Sequence, residues 1–276
     1  MSALSDFNKF TSDLDKQDTL MPVLFIGHGS PMNGIEHNEF SNNWSTLAKE
    51  ISIPKAVLVI SAHWLTNGTK ITAMDFPKTI HDFGGFPQAL FDVQYPAPGN
   101  PELAKETAAT IKYTDVELAH DWGLDHGAWT VVRHMYPEAN IPVVQLSIDY
   151  AKGPQYHYEL AKELYSLRSK GVLIIGSGNI VHNLRLISFN ELDKEFGFDW
   201  AIEMNDVFKK NINNHNHDGL INYSQFGSAS KLAVPTPDHY YPLLYSLGLQ
   251  NKNEEAVIFN DKLIAGSVAM TSLKIG

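Results

Sequence analysis

Apolar residues fall into short uninterrupted runs along this chain, and the runs stop at glycine, serine or histidine. The first begins at residue 21 and ends on Gly27-His28-Gly29-Ser30-Pro31; the second covers residues 55–64 and closes on His63-Trp64. Residues 141–148 form another run, and residues 171–175 run into Gly176-Ser177-Gly178-Asn179. Apolar runs of this length bounded by turn formers predict strands buried on both faces. Between the first two, Phe40, Trp44, Leu47, Ala48 and Ile51 recur at three- and four-residue intervals, which predicts an amphipathic helix over 38–51. Further helices are expected over 101–111, opened by Pro101, from the loop 119–129 through 135, over 155–169, over 196–212, and from about 239 to 247. His182 is expected in the first turn of a helix. Residues 71–74 read as a short strand. The chain closes with strands at 256–259 and 263–270, joined at Asn260-Asp261 as a hairpin. Strands alternating with helices define an α/β protein: a single domain with a mostly parallel central sheet flanked by helices and a C-terminal hairpin, residues 1–20 forming a polar arm.

Composition narrows the possible functions. The 276 residues carry a formal net charge of −10, and no basic cluster interrupts it, which argues against nucleic acid as a partner. Cysteine is absent, so disulfides, thiolate nucleophiles and Cys-ligated metals are excluded together. The first twenty residues lack an apolar signal core, and no apolar stretch approaches the ~18 residues that span a bilayer. A soluble, cytoplasmic protein without a membrane partner is expected. Twelve histidines stand against that absence of cysteine.

The histidines divide by context. His37, His134, His157, His215 and His217 lie on expected helix faces or in the solvated run 213–218, and read as structural, although His215-Asn216-His217 has a spacing that can bind metal. His28, His63, His182 and His239 each follow an apolar strand or a Pro- or Gly-marked turn, where loops on a rigid scaffold carry function. Ligands bind beyond the carboxyl ends of strands in open α/β sheets, so these four imidazoles could share one divalent first-row ion. Asp238 has two readings: a carboxylate completing a two-His-one-carboxylate set, or the N-cap of the helix beginning near His239.

The order of motifs resembles a known family. Gly27-His28-Gly29-Ser30-Pro31, Ser61-Ala62-His63-Trp64, His81-Asp82-Phe83, Gly85-Phe86-Pro87, Tyr95-Pro96-Ala97-Pro98-Gly99, Asp125-His126-Gly127-Ala128-Trp129, Gly176-Ser177-Gly178, His182-Asn183-Leu184 and Asp238-His239-Tyr240 are similar, from about residue 22 to the C-terminus, to the 4,5-DOPA dioxygenase extradiol group of the class III extradiol ring-cleavage dioxygenases. The resemblance implies His28, His63 and His239 as metal ligands. It makes His182 the catalytic histidine, or a fourth ligand when zinc is bound, and His126 a further catalytic residue contacting substrate. The chain departs from the family at Gly84, where an aromatic residue is expected.

The implied chemistry is insertion of O2 into a catechol such as DOPA, giving a muconic semialdehyde of the 4,5-seco-DOPA type. One divalent metal per chain is implied, Fe(II) for dioxygenase activity and Zn(II) as a ready occupant. His182 or His126 would accept a catechol proton and later return one, as suits a group titrating near neutrality. Trp64 and Tyr240 are expected to bind substrate, with Phe83, Phe86 and Trp129 as further wall candidates. Two other classes fit a His-rich site: a zinc-dependent hydrolase, and a non-catalytic zinc-binding protein.

Overall fold

The computed structural model describes residues 20–276, so the polar arm expected over 1–20 lies, apart from Leu20, outside the described residues. In chain order the strands are β1 (Val23–Gly27), β2 (Ala56–Thr66), β3 (Thr69–Thr72), β4 (Val116–Ala119), β5 (Val143–Asp149), β6 (Val172–Gly178), β7 (Ala256–Phe259), β8 (Leu263–Ile264), β9 (Val268–Ala269) and β10 (Ser272–Ile275). Eight of them form one sheet in the order β4-β3-β5-β2-β6-β1-β10-β7, and β8 and β9 form a separate ladder.

The four apolar runs seen in the sequence become the parallel centre, β5-β2-β6-β1. Their side chains alternate between two cores, which is why the runs carry no polar face. Val23 and Phe25 of β1, with Leu58, Ile60 and Ile174, pack under the helices Pro154–Glu163 and Tyr241–Gly248. Leu24 and Ile26, with Val57, Val59, Leu173 and Ile175, pack on the other face against Trp44 of the helix Glu39–Glu50 and Trp129 of the helix His126–Met135. Each such side chain is fully buried, a gain of roughly 1.5–3 kcal/mol apiece before chain entropy is set against it. No helix among the described residues is long and apolar enough to cross a membrane.

Three local expectations change in detail. The C-terminal antiparallel pair is present, but β7 pairs with β10, register Ala256 to Ile275, and not with residues 263–270. Asn260 does make the turn, at φ 50°; the chain then departs into the β8–β9 ladder before returning. His182 lies outside any helix. Its backbone bridges Val268 and donates to the Ala233 carbonyl, and the Asn183 side chain caps only a single 3-10 turn, Leu184–Leu186. The helix expected over 155–169 is interrupted at Leu164, giving Pro154–Glu163 and Tyr165–Ser169.

The sheet centre fixes the geometry of one rim. Gly27 of β1 pairs with Gly178 of β6, and Ser61 of β2 with Ser177, so the carboxyl ends of three parallel strands finish in one row. β2 continues past this row with a register shift between Ile60 and Leu65, and His63 lies in that irregular stretch. Irregularities of this kind re-aim side chains at sheet ends.

Candidate metal centre

His28 extends one residue beyond β1 and is buried, its backbone N–H held by the Gly178 carbonyl at 3.1 Å. Gly29 follows at φ 63°, a conformation that turns the chain away and leaves the imidazole facing inward. The His28 Nδ1 lies 3.0 Å from Ser177 Oγ, and that hydroxyl donates to the Gly127 carbonyl at 2.6 Å. Because the hydroxyl hydrogen is already committed, Ser177 accepts from His28, the proton sits on Nδ1, and Nε2 is left as a lone pair.

His239 is set the same way, and His63 faces a carboxylate without a hydrogen bond to it. His239 arrives because Gly178 lets its backbone come close: a Cβ at Gly178 would stand 2.2 Å from the His239 carbonyl oxygen. The Asp238 carboxylate accepts from His239 Nδ1. His63 turns Nδ1 toward Asp82 Oδ2 at 3.4 Å and places Nε2 3.1 Å from His28 Nε2. The ligand atoms of His28, His63 and His239 all lie within 4.8 Å of one another. Two imine nitrogens facing each other at 3.1 Å repel unless a cation or a proton sits between them, and the three nitrogens with their oriented Nδ1 partners suit a divalent ion.

The electrostatics favour the same reading. Burial holds His28, His63 and His182 well below the ordinary histidine range, with neighbouring imidazoles adding to it, so all three are neutral at pH 7 as metal ligands must be. Burial pushes the Asp82 carboxyl up, but hydrogen bonds from His126 outweigh it and hold the group below the usual carboxylate range. Asp238 is likewise driven down by its His239 bond against the opposing effect of burial.

Two more histidines join the cluster. The His126 ring lies 3.8 Å from that of His63, centroid to centroid, and His126 Nδ1 bonds Asp82 at 2.9 Å. His182 stacks on His239 at 3.6 Å with the planes only 9° apart. The ligand atoms of His182, Asp238 and His239 also lie within 4.8 Å of one another, so His182 is grouped with one of the three histidines of the cluster.

Beneath the cluster lies Asp125, fully buried and raised by burial and by Asp82 against its hydrogen bonds. It accepts from Ser61 Oγ at 2.6 Å, Gln145 Nε2 at 2.7 Å, Trp122 Nε1 at 3.3 Å and Ala128 N at 3.1 Å. The last bond caps the helix that begins with His126.

The remaining sequence candidates separate clearly. Tyr240 is not brought to the histidines: it is fully buried, packed against Phe208 and Tyr223, and its hydroxyl donates to the Leu220 carbonyl. Trp64 stacks parallel on Trp122, 5.9 Å away. Trp129 is core, with its indole N–H on the Ile80 carbonyl. Phe83 meets the His126 ring edge-on at 5.5 Å and packs with Phe86 and Phe91, while the space around Gly84 is open. His217 uses one nitrogen on Tyr158 and the other on Gln250, which leaves no metal-binding lone pair in the 215–217 pair's more buried member. Asp238 is not the helix cap: the last helix starts at Tyr241 without a side-chain cap, and the carboxylate orients His239 instead. Asp82 and Ser177 lie within the sequence motifs, which by themselves assign neither a role. Nothing in a single carboxylate or hydroxyl announces which imidazole it will meet.

Fold and donor set together describe an α/β protein with a candidate metal centre, built mainly of imidazole, at the carboxyl rim of a parallel sheet. Residues 22–269 match the profile of the catalytic LigB subunit of aromatic ring-opening dioxygenase. The chain is 43% identical over 268 residues to the 4,5-DOPA dioxygenase extradiol of Escherichia coli strain K12, covering 96% of this chain and 98% of that one. It is 34% identical over 267 residues to the Beta vulgaris protein of the same name, covering 95% and 98%. A crystal structure of an uncharacterized Escherichia coli K12 protein shares the fold with a TM-score of 0.80 at 38% identity, covering 93% of this chain and 100% of that chain. The chain belongs to the LigB family of aromatic ring-opening dioxygenases and is an enzyme of the extradiol ring-cleavage class. That membership sets aside the hydrolase and the metal-binding-only readings.

Proposed function

We propose that this enzyme opens a catechol ring beside its two hydroxyls, with DOPA as the leading substrate and a 4,5-seco-DOPA-type muconic semialdehyde as product. The observation that carries the reading is the convergence of His28, His63 and His239 on one point, with the His126 and His182 rings in contact with ligand rings. An Fe(II) held by those three residues would supply Lewis acidity and a template that brings catechol and O2 together. Zn(II) would fit the same nitrogens, since affinity at such sites does not discriminate strongly in favour of iron.

The chain's own groups handle binding and protons. His126 keeps its Nδ1 hydrogen on Asp82, so Nε2 is the atom that takes a hydroxyl proton from the catechol, and the ionised carboxylate stabilises the imidazolium that forms. His182, neutral through burial, is a second proton-handling group on the opposite side, against His239. Phe83 offers an aromatic edge beside His126, and the loop carrying it walls the ring's approach.

Anaerobic loading with Fe(II), followed by oxygen uptake across several catechols, tests the assignment. His182→Ala is expected to keep most of its metal and lose turnover, whereas His63→Ala loses both. Unchanged turnover in either variant counts directly against the proposal.

A further inference from the structure

Asp82 links two histidines that the reaction uses separately. Its main chain is exposed in the loop between β3 and the short helix Gln88–Phe91, yet its side chain is turned inward and only 17% exposed. Oδ1 accepts the His126 backbone N–H at 2.9 Å. Oδ2 accepts from His126 Nδ1 at 2.9 Å and also lies 3.4 Å from His63 Nδ1. A single oxygen therefore faces the same ring position of two imidazoles. An ionised carboxylate can only accept hydrogen bonds, so it favours the tautomer with hydrogen on Nδ1 in both rings. That is the tautomer a ligand at His63 needs and the tautomer a base at His126 needs, because each must present a bare Nε2.

We propose that Asp82 is a positioning residue that sets the tautomers of His63 and His126 together, tying the readiness of the metal ligand to that of the proton acceptor. The inference rests on the dioxygenase reading of those two histidines. The loop that brings Phe83 to the pocket is thereby anchored through the imidazoles themselves, since Phe83 follows Asp82 directly and packs on His126.

Asp82→Asn is the informative change, being of the same shape. With Oδ1 still accepting from the His126 backbone, the amide nitrogen replaces Oδ2 and becomes a donor facing both Nδ1 atoms. It then favours a lone pair there and moves the hydrogen to Nε2, the wrong place for both roles. Ring 15N spectra of the metal-free protein and Zn(II) affinity by chelator competition read this without any turnover. In the metal-free wild type the His126 ring should show Nδ1–H. Asp82→Asn should convert that ring to Nε2–H, weaken Zn(II) binding by about 10- to 100-fold, the range expected when a carboxylate behind a ligating histidine is lost, and lower kcat more than it raises KM. Asp82→Glu should recover part of each. Wild-type tautomers and wild-type Zn(II) affinity in Asp82→Asn overturn the proposal, even with a lowered melting temperature, because a purely structural loop contact moves stability alone. If Asp82→Asn does not fold, Asp82→Ser carries the same two readouts. Failure of the underlying reading shows up separately, as undiminished Zn(II) binding by His63→Ala.

Discussion

Ser177→Ala removes one hydroxyl and tests how far a hydrogen bond behind a ligand controls the centre. Ser177 is fully buried, donates to the Gly127 carbonyl at 2.6 Å, and accepts from His28 Nδ1 at 3.0 Å. The alanine variant removes that bond from a carbonyl in the first turn of the helix His126–Met135, a carbonyl cost of about 0.5–1.5 kcal/mol for one hydrogen bond. His28 can relieve its own loss by carrying the proton on Nε2, but that places hydrogen on the atom proposed to bind the metal. Metal affinity should therefore fall by about 10- to 100-fold, equivalent to about 1.4–2.8 kcal/mol at 1.4 kcal/mol per tenfold. Urea unfolding of the metal-free and Zn(II)-saturated proteins separates the two effects. The metal-free variant should lose only the carbonyl cost, and the Zn(II)-saturated variant should lose that cost plus the affinity difference. Equal losses in the two states, with unchanged Zn(II) affinity by chelator competition, would refute the argument and leave Ser177 a packing residue.

Two further outcomes follow from packing and burial. A Cβ at Gly127 would stand 2.4 Å from Ser61 Oγ and 2.9 Å from His63 Cδ2, so Gly127→Ala should displace the His63 ring and lower both Zn(II) affinity and turnover, with a stability loss of about 1–3 kcal/mol for overpacking; wild-type affinity would show that the ring has room to spare. His157 is buried against Tyr241 and bonded to the Tyr245 hydroxyl, and burial brings it down to about 4, opposed by backbone groups of Lys152 and Asp149. The folded protein keeps it neutral while the unfolded chain protonates it near 6.5, so its share of stability is intact above pH 6.5 and is lost as pH falls toward 4. Between pH 7 and 5 this amounts to about 2 kcal/mol; His157→Gln should lose that much less than the wild type over the same interval in urea titrations, and an equal loss contradicts the assignment.

The parts of the fold legible from sequence are those with one dominant physical cause. β1, β2, β5 and β6 are buried on both faces, so their runs are continuous and unmistakable. β4 was invisible because Val-Glu-Leu-Ala at a sheet edge, half exposed, carries neither an apolar run nor a full alternation. The Asn260-Asp261 turn was legible as a turn, but its partner strand was not, since pairing of β7 with β10 depends on where β1 ends the parallel sheet. Likewise the strand-to-His pattern pointed to His28 and His63, and the Pro-rich turn to His239. What the chain could not reveal was the supporting set: Asp82 meets His126 across 44 positions and Ser177 meets His28 across 149, contacts with no local signature. Tyr240 shows the converse. Its aromatic ring suggested a pocket wall, but at the turn into the last helix successive side chains diverge, and this one enters the core.

The position of β1 imposes an order of events on synthesis. This first strand finds both of its lateral partners late, Val172–Gly178 on one side and Ser272–Ile275 on the other. A nascent chain on the ribosome thus carries His28 and His63 long before β1, the strand that leads into His28, is flanked, and His239 emerges after both. If His28, His63 and His239 hold the ion as proposed, its capture would wait until all three have emerged and β6 has closed against β1.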